Sequence, residues 1–439
     1  MLKKLILVIM ASVLFITGCQ SIKGVDLNQM ILNNSKVKSA ESKTTVSLQL
    51  TVNKRKAKDK EFLKVVDLLN NAKLEVQTKL QNSSTASLSG NIVLRQGKIP
   101  FRMYMDKKKV VLLLDNASKP IVMKVDNSGA QDKWLQDLQT KLLSPIVKNL
   151  PNPTQISVKS ATEKVHGETV KGYKVNATVN FSELPNLFIA LLDNLAKDQK
   201  SLEELAAAVN ELNKMTGDNS KVTAQELQEG LKQFKTEFTA GILPEMKNSG
   251  MLTKYNYLKT SILVDKKFYE RKSSSTFNMT GIKDESGLTG IRIKVVNETW
   301  KINKKVTATK IRYGKYLSEN ASEAQFLNTL DKRRSVLYSV MTSFMYKQSA
   351  PVKGSQVKVT NNKRKADTVL VKGIKKGDVI KLYTASKGGK LLTGKQAAGT
   401  STTLSVKQLG KKSGKVYVSI IRNGKAESAR TAVKYKAEK

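Results

Sequence analysis

The sequence predicts an α+β protein: a curved antiparallel sheet (a half-barrel) wrapping helices, followed by a small all-β sandwich domain. Three observations carry this. Apolar and polar residues alternate over 44–126 and again over 259–313, the period of half-buried strands. Between those blocks, residues 182–247 space their apolar side chains by three and four, the period of helices. Beyond Ser349 the composition shifts: ten of the chain's 25 glycines fall there, and short apolar runs recur about every 8 to 12 residues, the spacing of a sandwich.

Taken in order, residues 1–18 read as a lipoprotein signal peptide. Lys3 and Lys4 are basic, Leu5–Ile16 is apolar, and Ile16-Thr17-Gly18-Cys19 fits the lipobox of bacterial lipoproteins. The apolar run is shorter than the roughly 20 residues a transmembrane helix needs. Cys19 is the only cysteine in 439 residues, and its place directly after Gly18 marks it as the lipidation site. Residues 19–39 are then a lipidated tether and a short helix, with Asp26 as N-cap before Leu27, Met30 and Ile31.

Residues 40–347 form the main α+β domain. Its first strands carry Val46, Leu48, Leu50 and Val52, then Leu74, Val76 and Leu80, then Leu88, Ile92 and Leu94. Phe101, Met103 and Met105 follow, then 110–114 and 121–125. A helical excursion holds Phe62, Val65, Val66 and Leu69. A further helix runs from Trp134 through Leu135, Leu138, Leu142, Ile146 and Leu150, and Pro151 and Pro153 stop it. Tyr173, Val175, Ala177, Val179 and Phe181 share one face of a long strand.

The helical insertion spans 182–247. Leu187, Leu191, Leu195, Leu202, Leu205, Val209 and Leu212 make its stripes. Thr223 and Glu226 are spaced as a capping box ahead of Leu227, Leu231, Phe234 and Phe238. Strands resume with Ile262 and Val264, Phe268 to Met279, Ile291 to Ile302, and Val306 to Tyr313. Asp106-Lys107-Lys108, Asp265-Lys266-Lys267 and Asn303-Lys304-Lys305 read as hairpin tips, since Asp and Asn tolerate left-handed backbone. A last helix is expected over Ala321–Met345. A linker at 348–355 leads into a β-sandwich over 356–437.

The lipobox, the antiparallel meander with Asp/Asn-Lys turns, the inserted helices and the closing strand Glu298–Asn303 together resemble Gram-positive cell-surface lipoproteins of the LolA/LppX type. That resemblance covers roughly residues 40–347. It implies a curved sheet half-wrapping helices, with a space between them that in some members holds acyl chains. Asp367–Val371, Gly377–Tyr383, Gly388–Leu392 and Val416–Ser419 are similar to immunoglobulin-like modules appended to Bacillus and Paenibacillus surface proteins.

The charge balance is extreme, with 77 Lys and Arg against 36 Asp and Glu and a net charge of +41. Only 11 of the basic residues are arginine and aromatics make up 6% of the chain. Nucleic-acid readers favour Arg forks and interleaved aromatics, so no nucleic-acid partner is expected. An anionic envelope, either phospholipid headgroups or wall polyphosphates, fits an exported, lysine-rich surface better. From Pro351 onward there are 22 Lys and Arg against four Asp and Glu. Lys363, Arg364, Lys365, Lys375, Lys376, Lys411 and Lys412 are the expected polyanion contacts.

The motifs of enzymes fall away one by one. Gly389 to Gln396 approaches a phosphate-binding loop, but Gln396 stands where a Ser or Thr hydroxyl is needed and no helix follows. His166 is the only histidine and reads as an exposed loop residue, short of the three or four ligands zinc takes. Asp126-Asn127-Ser128-Gly129 has calcium-loop flavour without the remaining ligands.

The expectation is therefore a non-enzymatic lipoprotein on the extracytoplasmic face of the cell membrane, without cofactor or metal. Its apolar ligand would be lined by Leu187, Leu191, Leu227, Leu231 and Phe234 on the inserted helices. Two alternatives stay open: a structural or protein-interaction lipoprotein with a filled core, and an envelope hydrolase with an unrecognised carboxylate pair.

Overall fold

Strands that are apolar on one face only must lay that face against something, and here most of them join one sheet. A computed structural model describes residues 25–125, 138, 141–217, 220–282 and 286–438. Lys3, Lys4, the lipobox with Cys19, the Asp126–Gly129 turn, and Trp134 and Leu135 lie outside the described residues.

The strands run β1 (Ala40–Val52), β2 (Lys73–Asn82), β3 (Thr85–Leu94), β4 (Gly97–Met105), β5 (Lys109–Leu114), β6 (Ile121–Lys124), β7 (Gln155–Val165), β8 (Glu168–Asn180), β9 (Tyr257–Asp265), β10 (Glu270–Thr280), β11 (Leu288–Trp300) and β12 (Leu317–Ser318). They form one curved twelve-stranded sheet in the order β12-β6-β5-β4-β3-β2-β1-β11-β10-β9-β8-β7. The sheet is antiparallel except where β12 runs parallel to β6. The two strand blocks of the sequence are thus two meanders joined at the β1–β11 pair.

The chain divides into two compact units. The first runs to Ser87 and takes in 105–108 and 125–309; the second holds 88–104, 109–124 and 310–439.

In the first unit, each helix begins where a side chain satisfies free amides. Asp26 accepts from Gln29 N at 2.9 Å and opens α1 (Leu27–Ser35). Asp59 accepts the amides of Glu61 and Phe62 and opens α2 (Lys60–Leu69). Helix α3 covers 141–149 and ends before Pro151. Pro185 sits in the first turn of α4 (Leu184–Lys197), a position that needs no amide donor. Asp198 caps α5 (Gln199–Thr216), and Ser201 and Asn149 donate to its carboxylate, holding it below the usual carboxylate range. The capping box read at Thr223 and Glu226 is formed at the start of α6 (Ala224–Glu237). A π-helical turn, Phe238–Ile242, leads into α7 (Leu243–Asn248). Among the described residues no helix is long and apolar enough to cross a membrane.

Three sequence expectations are corrected. Val306–Tyr313 is not a strand: the amides of Ala308 and Thr309 donate to Gln81 Oε1 at 3.0 Å and Ser87 Oγ at 2.9 Å, so side chains take the place of a neighbouring backbone. The single helix over 321–345 is two, α8 (Glu323–Leu327) and α9 (Val336–Met345). Between them Asp331 accepts from Arg333 N, and Ser335 accepts from Tyr338 N at 2.8 Å, so capping groups start a second helix instead of prolonging the first. The tip Asp265-Lys266-Lys267 is a turn, but its left-handed residue is Phe268, at φ 58°; Asp265 acts by accepting the amides of Lys267 and Tyr269.

In the second unit, β13 (Val357–Thr360), β14 (Asp367–Lys372) and β17 (Ser401–Val406) make one small sheet, in the order β13-β14-β17. The other contains β15 (Val379–Tyr383), β16 (Leu391–Gln396), β18 (Gly414–Ile421) and β19 (Thr431–Tyr435), in the order β16-β15-β18-β19. Val369, Val371, Ile380, Leu382, Val418 and Ile420 are wholly buried in their shared core. A second cluster joins Leu327, Leu330 and Tyr338 to Val379 and Ile421. The boundary segment 348–355 is tied at its start, where Ser349 N donates to Ala426 O at 2.9 Å and Arg422 N donates to Ser349 Oγ at 3.0 Å.

Candidate apolar site on the large sheet

Register decides which side chains share a face of a sheet, because alternate residues point to opposite sides. Val46 lies opposite both Leu74 on β2 and Val295 on β11. Leu48 pairs with Ile293 and Leu50 with Ile291. Ile293 and Ile291 in turn face Phe277 and Met279 on β10, and Phe277 faces Leu258 on β9. All stand on one face. The other face carries Ser47, Gln49, Arg292, Lys294, Thr276 and Lys259.

The apolar face is covered unevenly. Over β7–β9 it is closed: Val25, Leu27 and Met30 pack on Val158, Val175, Ile262 and Val264. Leu184 and Leu187 of α4 pack beside Val179 and Phe181, with Phe277 and Met279 at the edge of that cluster. Over β10, β11, β1 and β2 the side chains of Met279, Ile291, Ile293, Val295, Val46, Leu48 and Leu50 are only half-buried, and Leu74 is 36% exposed. In the sandwich core, by contrast, Val369, Ile380, Leu382 and Val418 are wholly buried.

Towards one end of this face polar side chains take over, with Ser42, Thr44, Thr78, Ser273, Asn297 and Thr299 in register. Thr44 Oγ1 donates to Asn297 Oδ1 at 2.9 Å, and Asn297 Nδ2 donates to Thr299 Oγ1 at 3.1 Å and Glu270 Oε1 at 3.4 Å. Thr260 and Ser275 share a hydrogen bond of 3.1 Å. A broad apolar surface with a polar margin is the composition of sites that hold apolar molecules by one end.

Of the five helical residues expected to line a ligand, Leu187 alone packs in a cluster with these strands. Leu191 packs with Leu195, Val147 and Leu150, with Leu231 at the margin. Phe234 meets Phe188 edge-on at 6.0 Å. Leu227 is half-buried on α6, which buries none of its own residues. The strand residues Leu48, Ile293 and their neighbours are what helix-centred reasoning missed. Their alternation was visible; that they stay half-buried among the described residues was not. A separate open depression of about 460 Å³ runs along β7–β8, lined by Ser160, Thr162, Lys171, Tyr173 and Lys266, and by none of the five.

The other candidates resolve as follows. His166 is exposed at the tip between β7 and β8, at φ 46°, and stacks on Trp300 at 3.7 Å. Nearby, Arg271 pairs with Glu168 and with Asp265, the latter at 3.3 Å. Burial alone would raise the Glu168 pKa, but Arg271 and Lys304 outweigh it and lower it. No group of three or more potential metal ligands occurs among the described residues. Gly388 and Gly389 take positive φ in a turn, and Leu391–Gln396 is a strand where a phosphate loop needs a helix.

The seven cations expected to meet polyanions are all exposed. Lys363, Arg364 and Lys365 occupy the β13–β14 tip, Lys411 and Lys412 the segment before β18, and Lys375 and Lys376 the turn after β14. Inside the same unit Glu427 is buried against Lys381, 3.3 Å away, and accepts from Tyr383, Ser419 and Ser339. Burial pushes the Glu427 pKa up; the Lys381 charge and these hydroxyls more than reverse that. Burial, and then the Glu427 charge, push the Tyr383 phenol upward.

No protein family and no curated protein matches the chain. Among solved structures it is similar to the lipoprotein LppX of Mycobacterium tuberculosis, at 10% identity and a TM-score of 0.22, over 65% of this chain and 100% of that one.

Proposed function

We propose that the chain is a membrane-anchored extracytoplasmic lipoprotein that binds an acyl-chain-bearing ligand without chemically altering it. The observation that supports this is the half-buried apolar face formed by Val46, Leu48, Leu50, Ile291, Ile293 and Val295. Each methylene laid on such a surface contributes about 0.8 kcal/mol. A ten-carbon stretch would therefore gain roughly 8 kcal/mol before the cost of ordering it. The polar margin at Thr44, Asn297 and Glu270 suits a ligand headgroup. Leu187 stands at the border of the covered region, and Leu191, Leu231, Leu227 and Phe234 would support the helices behind it.

Cys19 supplies the anchor in this reading, through the diacylglyceryl group that lipobox proteins carry. Two acyl chains suffice for stable attachment where one does not. Native mass spectrometry of protein taken from its own membranes tests the ligand, through the mass of any lipid that remains bound.

A further inference from the structure

Five of the seven exposed cations stand at one end of the sandwich, and buried polar groups hold them together. β13 and β14 form a hairpin, with Thr360 opposite Thr368, so the tip carries Lys363, Arg364 and Lys365. Val406 lies opposite Asp367, so the segment carrying Lys411 and Lys412 leaves β17 at that same end. Asn361 ties the loops, donating through Nδ2 to Gly410 O at 2.8 Å and Lys436 O at 3.0 Å. Asp367, fully buried, accepts the amides of Asn362 at 2.7 Å and Leu409 at 2.5 Å. Lys407 and Lys436 are exposed beside them. Seven cations therefore meet two carboxylates, Asp367, which those amides occupy, and Glu438, which Gln408 engages. The five cations of the two loops form no ion pair among the described residues.

Lys375 and Lys376 are elsewhere. They follow Lys372, which pairs with Ser401 five residues along β14 from Asp367. At about 3.3 Å per residue that is roughly 17 Å, twice the screening length of about 8 Å in physiological salt. The two ends act independently.

We propose that the loop end carrying Lys363, Arg364, Lys365, Lys411 and Lys412 docks a linear, phosphate-bearing polyanion. Lysine-dominated cations spread over two loops, with no buried charge converging on a point, suit a row of phosphates more than a single one. The tip residues are Lys, Arg, Ala, Gly and Ser, with no large apolar side chain exposed to enter a bilayer. This site is independent of the apolar face.

The test titrates the full chain with long-chain inorganic polyphosphate at several salt concentrations. Two variants lose equal charge at opposite ends, K411Q/K412Q and K375Q/K376Q. The first should weaken binding about tenfold at low salt and flatten the log–log salt slope by about 1.4, since each contact on a flexible chain contributes about 0.7. The second should stay within about twofold of the parent, and K411R/K412R should bind like it. Equal loss in both glutamine variants, or none in the first, would overturn the proposal. Anionic phospholipid vesicles and orthophosphate should bind more weakly and ignore which pair is removed. Vesicle binding tighter than polymer binding and lost in K411Q/K412Q would assign the loop end to a membrane instead.

Discussion

Leu48 and Ile293 face each other across the β1–β11 pair, at the junction of the two meanders, and both remain half-buried. In a sealed core such a pair would have neighbours on every side. Here part of each side chain stays exposed, and a ligand surface would differ from a filled core in what truncating it costs. Without ligand, Leu48→Ala or Ile293→Ala should cost less than about 2 kcal/mol, because little packing is lost. Leu382→Ala in the wholly buried sandwich core should cost about 2 to 5 kcal/mol. Denaturant titration of the three variants gives the comparison, and equal costs would mean that the sheet face is filled.

The Lys381–Glu427 pair couples the second unit to pH. The folded pKa of Glu427 lies below its unfolded value, about 4.3. Its ionisation therefore stabilises the fold above that value, and the contribution is lost as pH falls through the folded pKa. Lys381→Met should leave a buried carboxylate unpaired, at a cost of about 3 to 5 kcal/mol at neutral pH. That cost should shrink as pH falls, because without the Lys381 charge burial holds the carboxyl pKa higher and protonation removes the unpaired charge. Circular dichroism against pH, with Lys381→Met/Glu427→Leu as the paired variant, checks both effects; the paired variant should recover most of the stability.

Two glycines make opposite claims. A Cβ on Gly172, in β8, would stand 1.9 Å from the Val264 carbonyl oxygen, so the backbones there touch. Gly172→Ala should destabilise the first unit by about 3 kcal/mol or more. Gly230 lies within α6 with nothing inside 4 Å of such a Cβ, and Gly230→Ala should stabilise by about 0.5 to 1 kcal/mol. Thermal unfolding separates the two signs.

Cys19 is expected to carry the anchor. Cys19→Ala should release the protein to the medium or leave it unprocessed, seen by fractionation and intact mass. Processed protein held firmly in the membrane would refute it.

Much of the fold is legible in period alone. The alternation Val46-Leu48-Leu50 and the stripe Leu187-Leu191-Leu195 each give the right element, and Thr223 with Glu226 marks a helix start to the residue. What period cannot carry is competition between equivalent hydrogen-bond partners. Ala308 and Thr309 look like strand residues but bond to Gln81 and Ser87 side chains, and Asp331 with Ser335 divides a helix whose apolar spacing continues across the break. The candidate site is harder still. A strand residue that is fully covered and one that is left half-exposed have the same pattern, and only the placement of α1 and α4 over β7–β9 tells Val175 from Leu48. In the sandwich the lysine clusters are plain in the sequence, yet that Lys411 joins Lys363 while Lys375 does not depends on Asn361, in a loop, and Asp367, the first residue of β14.

The most direct measurement is native mass spectrometry of the protein and of its Leu48→Asp/Ile293→Asp variant, each purified from its own membranes without added lipid. The parent should carry a discrete extra mass of an acyl-chain-bearing molecule. The variant, folded by circular dichroism, should have lost that mass. A parent with no adduct, or an adduct retained in full by the variant, would contradict lipid binding on this face.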